Sequence, residues 1–460
     1  MELFLTIFFG LCLFFPLLHL LHCLPWFREE DELVTHSPSS EKGISILVPS
    51  YNEAGIIETS VHSMKSLAYE NFEVVYINDG STDETFSILH RHLHLKPSAK
   101  IPIEKLPHNN VNKVYQSSLY PNIYVIDKMN GGKADALNAG IEYASKELVV
   151  TLDADTVLTA PSLKVINEKF ANPEVVAAGG MVHVLQTKTS NPLKNLSLAG
   201  TKMLVRVQML DFMKAFYVTK LSLARFQALA IISGAFGIFS KKMLLDVGGY
   251  RSSVGEDIDI TLKIHRYIAK QKDKKILLIT EAISYTELPE TWKDLFKQRI
   301  RWQKSYMDCL VHFRSFLSKT VLTKAVSFFY IIESFFVGIV AAYITAGFFV
   351  ASAFLNIAFV FLGFIIVYLS YIFLFNFIYN LLAIVQVKRY GFTFEKGDRL
   401  RLFNTVVYDV FIHRFVTMYF VMYGSVAYFF NRDWKKVSRT GRKYEVEPAS
   451  AKVTTYRQNV

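Results

Sequence analysis

No Asp, Glu, Lys or Arg occurs between Ser334 and Val387, and none occurs between Leu3 and Phe27. The longer run has room for two apolar helices of roughly 20 residues each with a turn between them, the length that a bilayer demands of a helical crossing. A helix on the surface of a soluble domain keeps a charged face, so these runs are not that. Yet 20% of the 460 residues are charged and the mean hydropathy is only +0.24. That is too polar for a bundle of spans alone, and the sequence predicts a soluble domain joined to membrane helices.

A third apolar stretch, Phe403 to Asn431, is interrupted by Asp409, His413 and Arg414. Charge facing lipid is costly, so these residues mark either the cytosolic end of a tilted, partly interfacial helix or groups facing a polar path. The first 27 residues open Met-Glu with no basic segment and show no small-residue cleavage site before Arg28. That favours a retained transmembrane anchor over a cleaved signal. Cys12, Cys23 and Cys309 have neither metal-ligand spacing nor even pairing. No disulfide framework is expected, and the soluble part is assigned to the cytosol. The net charge of +11 is read as loops facing anionic lipid; the aromatic-basic pattern of a nucleic-acid binder is missing.

From Gly43 to Pro289 the pattern alternates. Ile44 to Ser50, Phe72 to Asp79, Ile123 to Asp127 and Leu148 to Asp153 read as strands; Ala54 to Leu67, Asp83 to His92 and Lys133 to Ala144 read as helices. Short β-branched runs between helical segments predict an α/β domain, a mostly parallel sheet with helices on both faces. Ligands bind such sheets beyond the carboxyl ends of the strands, where Asp79, Asp127 and Asp153 stand. His94 to Pro121, with Pro97, Pro102 and Pro107, reads as a loop or an excursion from the sheet. Asn191 to Ala230 is mixed apolar and basic, without a strand pattern.

Between Thr291 and Lys319, Trp292, Leu295, Phe296, Ile300, Met307 and Leu310 fall on one helical stripe, with Lys293, Lys297, Arg299, Arg301 and Lys304 beside it. Such a helix suits the cytosolic bilayer surface, or packs on the sheet as an ordinary domain helix. Gln298, Arg301 and Trp302 share a face, roughly 140° from the apolar stripe, that turns back toward the domain.

Four motifs carry chemistry. Asp153 and Asp155 in "TLDADT" offer carboxylate oxygens to a hard divalent cation of the kind that also binds substrate phosphates; alone, the tripeptide is also an ordinary turn. Asp79 in "NDGSTDET" belongs to an ordinary turn sequence or, at the same edge of the sheet, could hydrogen-bond a nucleobase or ribose. Lys133 and two glycines in "NGGKADALNAG" make a helix-start anion site, without Walker spacing. Glu256 and Asp257 in "GEDIDITLK" open a helix and provide a candidate general base.

In this order, "NDGS", "DAD", "GED" and "QRIRW" resemble the motif set of membrane-embedded processive family 2 glycosyltransferases, the cellulose, chitin, hyaluronan and poly-N-acetylglucosamine synthases. "VPSYNE", with Tyr51 and Glu53, and "NGGKADALNAG" are most similar to the poly-β-1,6-N-acetylglucosamine branch. The resemblance spans Gly43 to Lys304. It implies a GT-A fold and inverting transfer from a UDP-sugar, UDP-N-acetylglucosamine as first choice, to a growing exopolysaccharide. Asp79, with Tyr51 and Glu53, would serve the nucleotide, and Asp153 and Asp155 would hold the diphosphate through Mg²⁺ or Mn²⁺. Lys133 and Arg301 would neutralise leaving UDP. Asp257, beside Glu256, would deprotonate the acceptor; Gln298 and Trp302 would line the acceptor, with Trp302 stacked beneath its sugar, and Ser233 and Gly234 of "SGAFG" would form the acceptor-side loop.

The implied organisation is an anchor at 1–27, a cytosolic GT-A domain at 43–290, an interface helix at 291–324, transmembrane helices at 325–431 and a basic tail at 432–460. The whole would be a multi-pass protein of the plasma (inner) membrane, in contact with lipid and open to a small membrane partner subunit. Two departures from the family pattern stand out: Gly255 replaces the usual Thr before Glu-Asp, and Ile300 interrupts the arginine run. Trp434 to Arg442 is similar to a carboxyl-terminal segment of hyaluronan synthases. The tail's eight Lys/Arg against three Asp/Glu argue for the inside, whereas three spans after a cytosolic domain would put it outside. A glycolipid-making transferase, a synthase using another donor and an inactive family member remain open at this point.

Overall fold

The computed structural model describes residues 2–24, 40–188, 195–271, 273–354 and 359–431. The basic tail with Trp434 to Arg442, the end of the amino-terminal run and the first residues of the segment beginning at Asn191 lie outside them. In chain order the strands are β1 (Ile44–Ser50), β2 (Phe72–Asp79), β3 (Leu95–Pro97), β4 (Val111–Ser117), β5 (Ile123–Lys128), β6 (Leu148–Leu152), β7 (Thr156–Leu158), β8 (Val175–Val184), β9 (Asn195–Leu196), β10 (Phe236–Ser240), β11 (Lys275–Thr286) and β12 (Thr393–Phe394).

Ten of them form one sheet, ordered β3-β4-β5-β2-β1-β6-β10-β8-β11-β7. The strands expected from sequence are its parallel centre: β5, β2, β1 and β6 pair in parallel. Their side chains alternate between two buried faces. Ile44, Ile46, Val48, Val74, Tyr76 and Val150 meet the helices Ile57–Lys65 and Thr85–Leu93 on one side. Leu47, Val75, Ile77 and Val149 meet Lys133–Tyr143 and Glu256–Ile268 on the other. Burial on both faces is why these strands read as nearly unbroken apolar runs. Each fully buried aliphatic side chain contributes about 1.5–3 kcal/mol.

The stretch expected to be a loop, His94 to Pro121, supplies β3 and β4, which run antiparallel along the edge beyond β5. Pro97 is tolerated because β3 is an outermost strand, where a missing N–H costs no ladder bond. In β4, Val114 and Ser117 are buried while Asn112 and Lys113 are exposed. On the far side β10 enters antiparallel between β6 and β8.

Three described helices are long and apolar enough to cross a membrane: Ala325–Gly347, Leu369–Arg389 and Lys396–Phe430. The amino-terminal helix, Glu2–His22, packs Phe15 against Ala228 and Phe329, and Leu20 against Val218, Leu221 and Ala383. Between the sheet and these helices the chain coils from Met203 to Lys214, loosens into a π-helical stretch at Ala215–Lys220 and ends at Arg225.

The basic amphipathic helix spans Trp292–His312. Thr291 caps it, its hydroxyl accepting from the Asp294 N–H at 3.2 Å, which satisfies one orphan donor of the first turn. Much of its stripe is covered by protein, Trp292 staying exposed: Leu295 and Ile300 pack with Phe420, and Met307 with Ile339 and Tyr428. The partners advance together along both helices. Phe296 meets Phe420, Gln303 donates to Ser425 Oγ at 2.9 Å, and Asp308 accepts from Tyr428 Oη at 3.3 Å. Trp292–His312 and the last apolar helix therefore run side by side in the same direction.

Candidate functional site

The carboxyl ends of β1 and β2 are locked to each other. Asn52 sits in the left-handed region (φ 55°) just after β1, where its side chain accepts from the Thr82 N–H at 2.7 Å, and the Thr85 hydroxyl accepts from the Glu53 N–H at 2.7 Å. This interlock builds the rim that bears Tyr51, 40% exposed, and Glu53.

Asp79 ends β2 and is 2% exposed. Its carboxylate accepts from Lys128 Nζ at 2.7 Å and from the Gly131 and Gly132 N–H groups at 3.0 and 2.8 Å. It thus grips the loop that leads into Lys133. Lys128, fully buried, also pairs with Asp135. Sequence reasoning missed Lys128; the signal was a lysine directly after Asp127, at the end of the strand that pairs with the one ending in Asp79.

Lys133 is the meeting point of the motifs. Its Nζ lies 2.7 Å from Asp153 Oδ1 and 2.9 Å from Glu256 Oε1. Burial alone would lower this ammonium's pKa, but the two carboxylates reverse that and raise it. Two residues on, Asp155 is buried and accepts from the Thr286 hydroxyl at 3.2 Å. The Thr156 N–H returns to the Asp153 carbonyl at 3.0 Å, closing the turn that presents both aspartates. Two carboxylates at one strand end, one of them with its side chain 31% exposed, are the donor set that a hard cation such as Mg²⁺ or Mn²⁺ takes.

Glu256 and Asp257 open the helix Glu256–Ile268 and are driven apart electrostatically. Burial pushes the Glu256 carboxyl up, but Lys133 and Arg301 hold it below its ordinary value. Burial and the neighbouring Glu256 charge raise Asp257, with Lys133 and Arg301 opposing only in part. Asp257 accepts from the Gly234 N–H at 3.3 Å. Ser233, Gly234, Thr151, Tyr250, Glu256 and Asp257 line a small cavity. Tyr250 is also one the sequence did not single out. It hydrogen-bonds Thr151 beneath Lys133, and Asn138 clasps its backbone, accepting from its N–H at 2.8 Å and donating to its carbonyl at 3.0 Å.

The Trp292–His312 helix packs against the loop that leads into Glu256. Arg301 is near enough for its charge to act on both Glu256 and Asp257, while Gln298 is buried and Trp302 is 38% exposed. Gly255 has a physical reason here. A Cβ on it would stand 2.4 Å from Ser305 Cβ and 3.1 Å from Ser305 Cα, and Ser305 Oγ donates to the Val254 carbonyl at 2.9 Å. The helix rests on the backbone before Glu256, and a threonine has no room. Lys133, Asp153, Glu256, Asp257, Ser233, Gly234 and Arg301 form one group, joined to Asp79 through the gripped glycine loop.

Residues 45–248 match the glycosyl transferase family 2 model, and residues 148–388, more than half the chain, match glycosyl transferase family group 2. Among curated relatives, poly-β-1,6-N-acetyl-D-glucosamine synthase of Staphylococcus epidermidis is 31% identical over 301 residues, 65% of this chain and 62% of that protein. The same-named protein of Staphylococcus aureus strain MSSA476 is 30% identical over 62% of this chain and 58% of the relative. The chain thus aligns with less than two thirds of either relative's length. A structure of the mannosyltransferase PcManGT from Pyrobaculum calidifontis, solved with GDP-Man and Mn²⁺, is 16% identical with a TM-score of 0.50, over 83% of this chain and 96% of that one; at that identity the likeness concerns the fold.

Proposed function

The chain belongs to glycosyl transferase family group 2, with a GT-A sheet at its centre, and from that premise we propose that it is a processive inverting β-glycosyltransferase. It extends an extracellular polysaccharide from a UDP-sugar, UDP-N-acetylglucosamine by preference, and passes the product across the membrane that holds it. The observation that carries this reading is the Lys133 ammonium, which joins Asp153 of the strand-end pair to Glu256, next to Asp257. Donor-side and acceptor-side groups then share one cleft.

In this reading Asp257 takes the proton of the acceptor hydroxyl as its oxygen bonds to the anomeric carbon. The bond from that carbon to the diphosphate breaks, and its electron pair leaves with UDP. The raised Asp257 carboxyl suits a base, and the depressed Glu256 stays charged and holds Lys133. A divalent cation, Mg²⁺ or Mn²⁺, held by Asp153 and Asp155 would supply Lewis-acid neutralisation of the diphosphate. Lys133 and Arg301 add fixed positive charge, Asp79 and the rim with Tyr51 and Glu53 form the nucleotide end, and Trp302 with Gln298 offers a platform for the acceptor sugar.

We place the sheet domain, residues 43–290, on the cytosolic side of the plasma (inner) membrane. The parallel course of the last helix beside Trp292–His312 supports an interfacial position for residues 414–430, with the basic tail on the cytosolic side. A small partner subunit is compatible with this arrangement.

The test is UDP release by purified protein in nanodiscs, with UDP-N-acetylglucosamine, UDP-glucose or UDP-glucuronate and Mg²⁺ or Mn²⁺, and product length read on the same samples. Long product from one donor, abolished by Asp257→Asn, is expected. Short or lipid-linked product with full turnover would overturn processivity.

A further inference from the structure

A buried polar cluster lies outside the cleft, where the domain meets the membrane helices. Asp211 and Lys214 come from the helix Met203–Lys214, Arg299 from Trp292–His312, Asn380 from Leu369–Arg389, and Asp409 and His413 from a π-helical turn of the last helix. Lys214 Nζ lies 2.8 Å from Asp409 and 3.4 Å from Asp211. His413 Nε2 lies 3.0 Å from Asp211 Oδ2, and Asn380 donates to Asp409 at 2.8 Å. Asp211, Asp409 and His413 are close enough together to suggest a metal site. However, Lys214 and Arg299 already supply a fixed cation for each carboxylate, which leaves no charge for an ion to neutralise.

The cluster has one outlet. Arg299 NH2 is 3.6 Å from Asp211 Oδ2, and the Arg299 guanidinium lies 4.3 Å from the Trp302 ring centroid. Asp211 is held well below the carboxylate range: burial would raise it, but Lys214, the His413 hydrogen bond and Arg299 outweigh burial. Its carboxylate is the charge partner of Arg299, at a distance longer than a hydrogen bond, and a guanidinium over an indole face is an attractive, oriented contact. We propose that Arg299, anchored by Asp211, is a positioning residue that sets the Trp302 ring, and that the membrane helices govern this setting through Asp409 and His413. The consequence for catalysis rests on the reading of Trp302 as the acceptor platform.

The experiment uses a chain in which Trp302 is the one tryptophan, Trp26, Trp292 and Trp434 being changed to Phe, in nanodiscs. Arg299→Met, Arg299→Lys and Asp211→Asn are compared by Trp302 emission, iodide quenching, UDP release and product length. Arg299→Met is expected to shift the emission, increase quenching and shorten the product about ten-fold, the scale of one desolvated cation–π contact, while the donor KM holds. Arg299→Lys keeps the charge but loses the flat stack, and should fall between. Asp211→Asn should match Arg299→Met, with the double variant no worse, since both act along one path. If Asp211→Asn does not fold, His413→Leu, which removes the N–H donor toward Asp211, takes its place, and a spectral shift in the same direction as that of Arg299→Met is then required. Unchanged Trp302 emission and quenching in folded Arg299→Met would overturn the proposal. Unchanged product length in Trp302→Ala would instead overturn the platform reading, and the spectral result distinguishes the two failures.

Discussion

Replacing Gly255 with alanine isolates the contact between the Trp292–His312 helix and the loop that leads into Glu256 and Asp257. The Gly255 backbone is ordinary (φ −131°, ψ 72°), so only space is at stake. The new Cβ would lie 2.4 Å from Ser305 Cβ, whereas carbons at rest sit about 3.5–4.0 Å apart. One backbone must retreat by about 1 Å, and neither side is loose: Ser305 Oγ bonds the Val254 carbonyl at 2.9 Å and the Arg301 carbonyl at 2.8 Å. Overpacking of this kind costs about 1–3 kcal/mol, and a 1 Å misplacement of reacting groups costs about 100-fold in rate. Gly255→Ala should therefore lower kcat for UDP release by about two orders of magnitude, with the donor KM nearly unchanged because Asp79 and its glycine loop are untouched. Adding Ser305→Gly removes the opposing Cβ at a helix cost of about 1 kcal/mol and should recover most of kcat. Wild-type kcat in Gly255→Ala, or a double variant no better than the single, would refute the steric argument.

Because Asp257 must be unprotonated to act as base, kcat/KM should fall as pH drops through its raised pKa. Glu256→Gln removes the anion that helps raise it and should move that acid limb to lower pH, whereas Lys133→Met removes an opposing cation and should move it to higher pH; limbs that move the other way would contradict the assignment. Asp79→Asn leaves buried Lys128 with Asp135 as its remaining carboxylate, so thermal stability should fall by up to about 3 kcal/mol, and Lys128→Met on that background should restore part of it. Chelation of divalent cations should stop turnover, Mg²⁺ or Mn²⁺ should restart it, and Asp155→Ala should raise the metal concentration needed; full turnover in excess chelator would remove the cation from the reading.

Much of the centre was legible because its signals are local. Strands buried on both faces announce themselves as β-branched runs, and Asp79 and Asp153 stand at their ends. The rest depends on distant partners. β10 is apolar, but nothing in Phe236 to Ser240 says that it inserts antiparallel between β6 and β8. β3 was hidden by Pro97, which only an edge position tolerates, and β4 by its polar residues Asn112, Lys113 and Gln116. The amphipathic stripe was visible, but its cover, Phe420 and Tyr428, lies more than a hundred residues away. Lys128 and Tyr250 carry no motif, and their importance comes from what they touch. Gly255 stood out as a departure from the family pattern, and in the fold it is the fit of one backbone against Ser305.

The two-residue ladder between β9 and β12 has a consequence for how the chain is threaded. β12 follows the helix Leu369–Arg389, and the link is reinforced where Glu395 accepts from the Ser197 hydroxyl at 2.8 Å and Asp398 from the Leu198 N–H at 2.6 Å. This seam sews the connection after that helix to the body of the sheet domain. In the proposed membrane arrangement, Ala325–Gly347 and Leu369–Arg389 would then be an outward and a return stitch, whatever the course of the helix that follows.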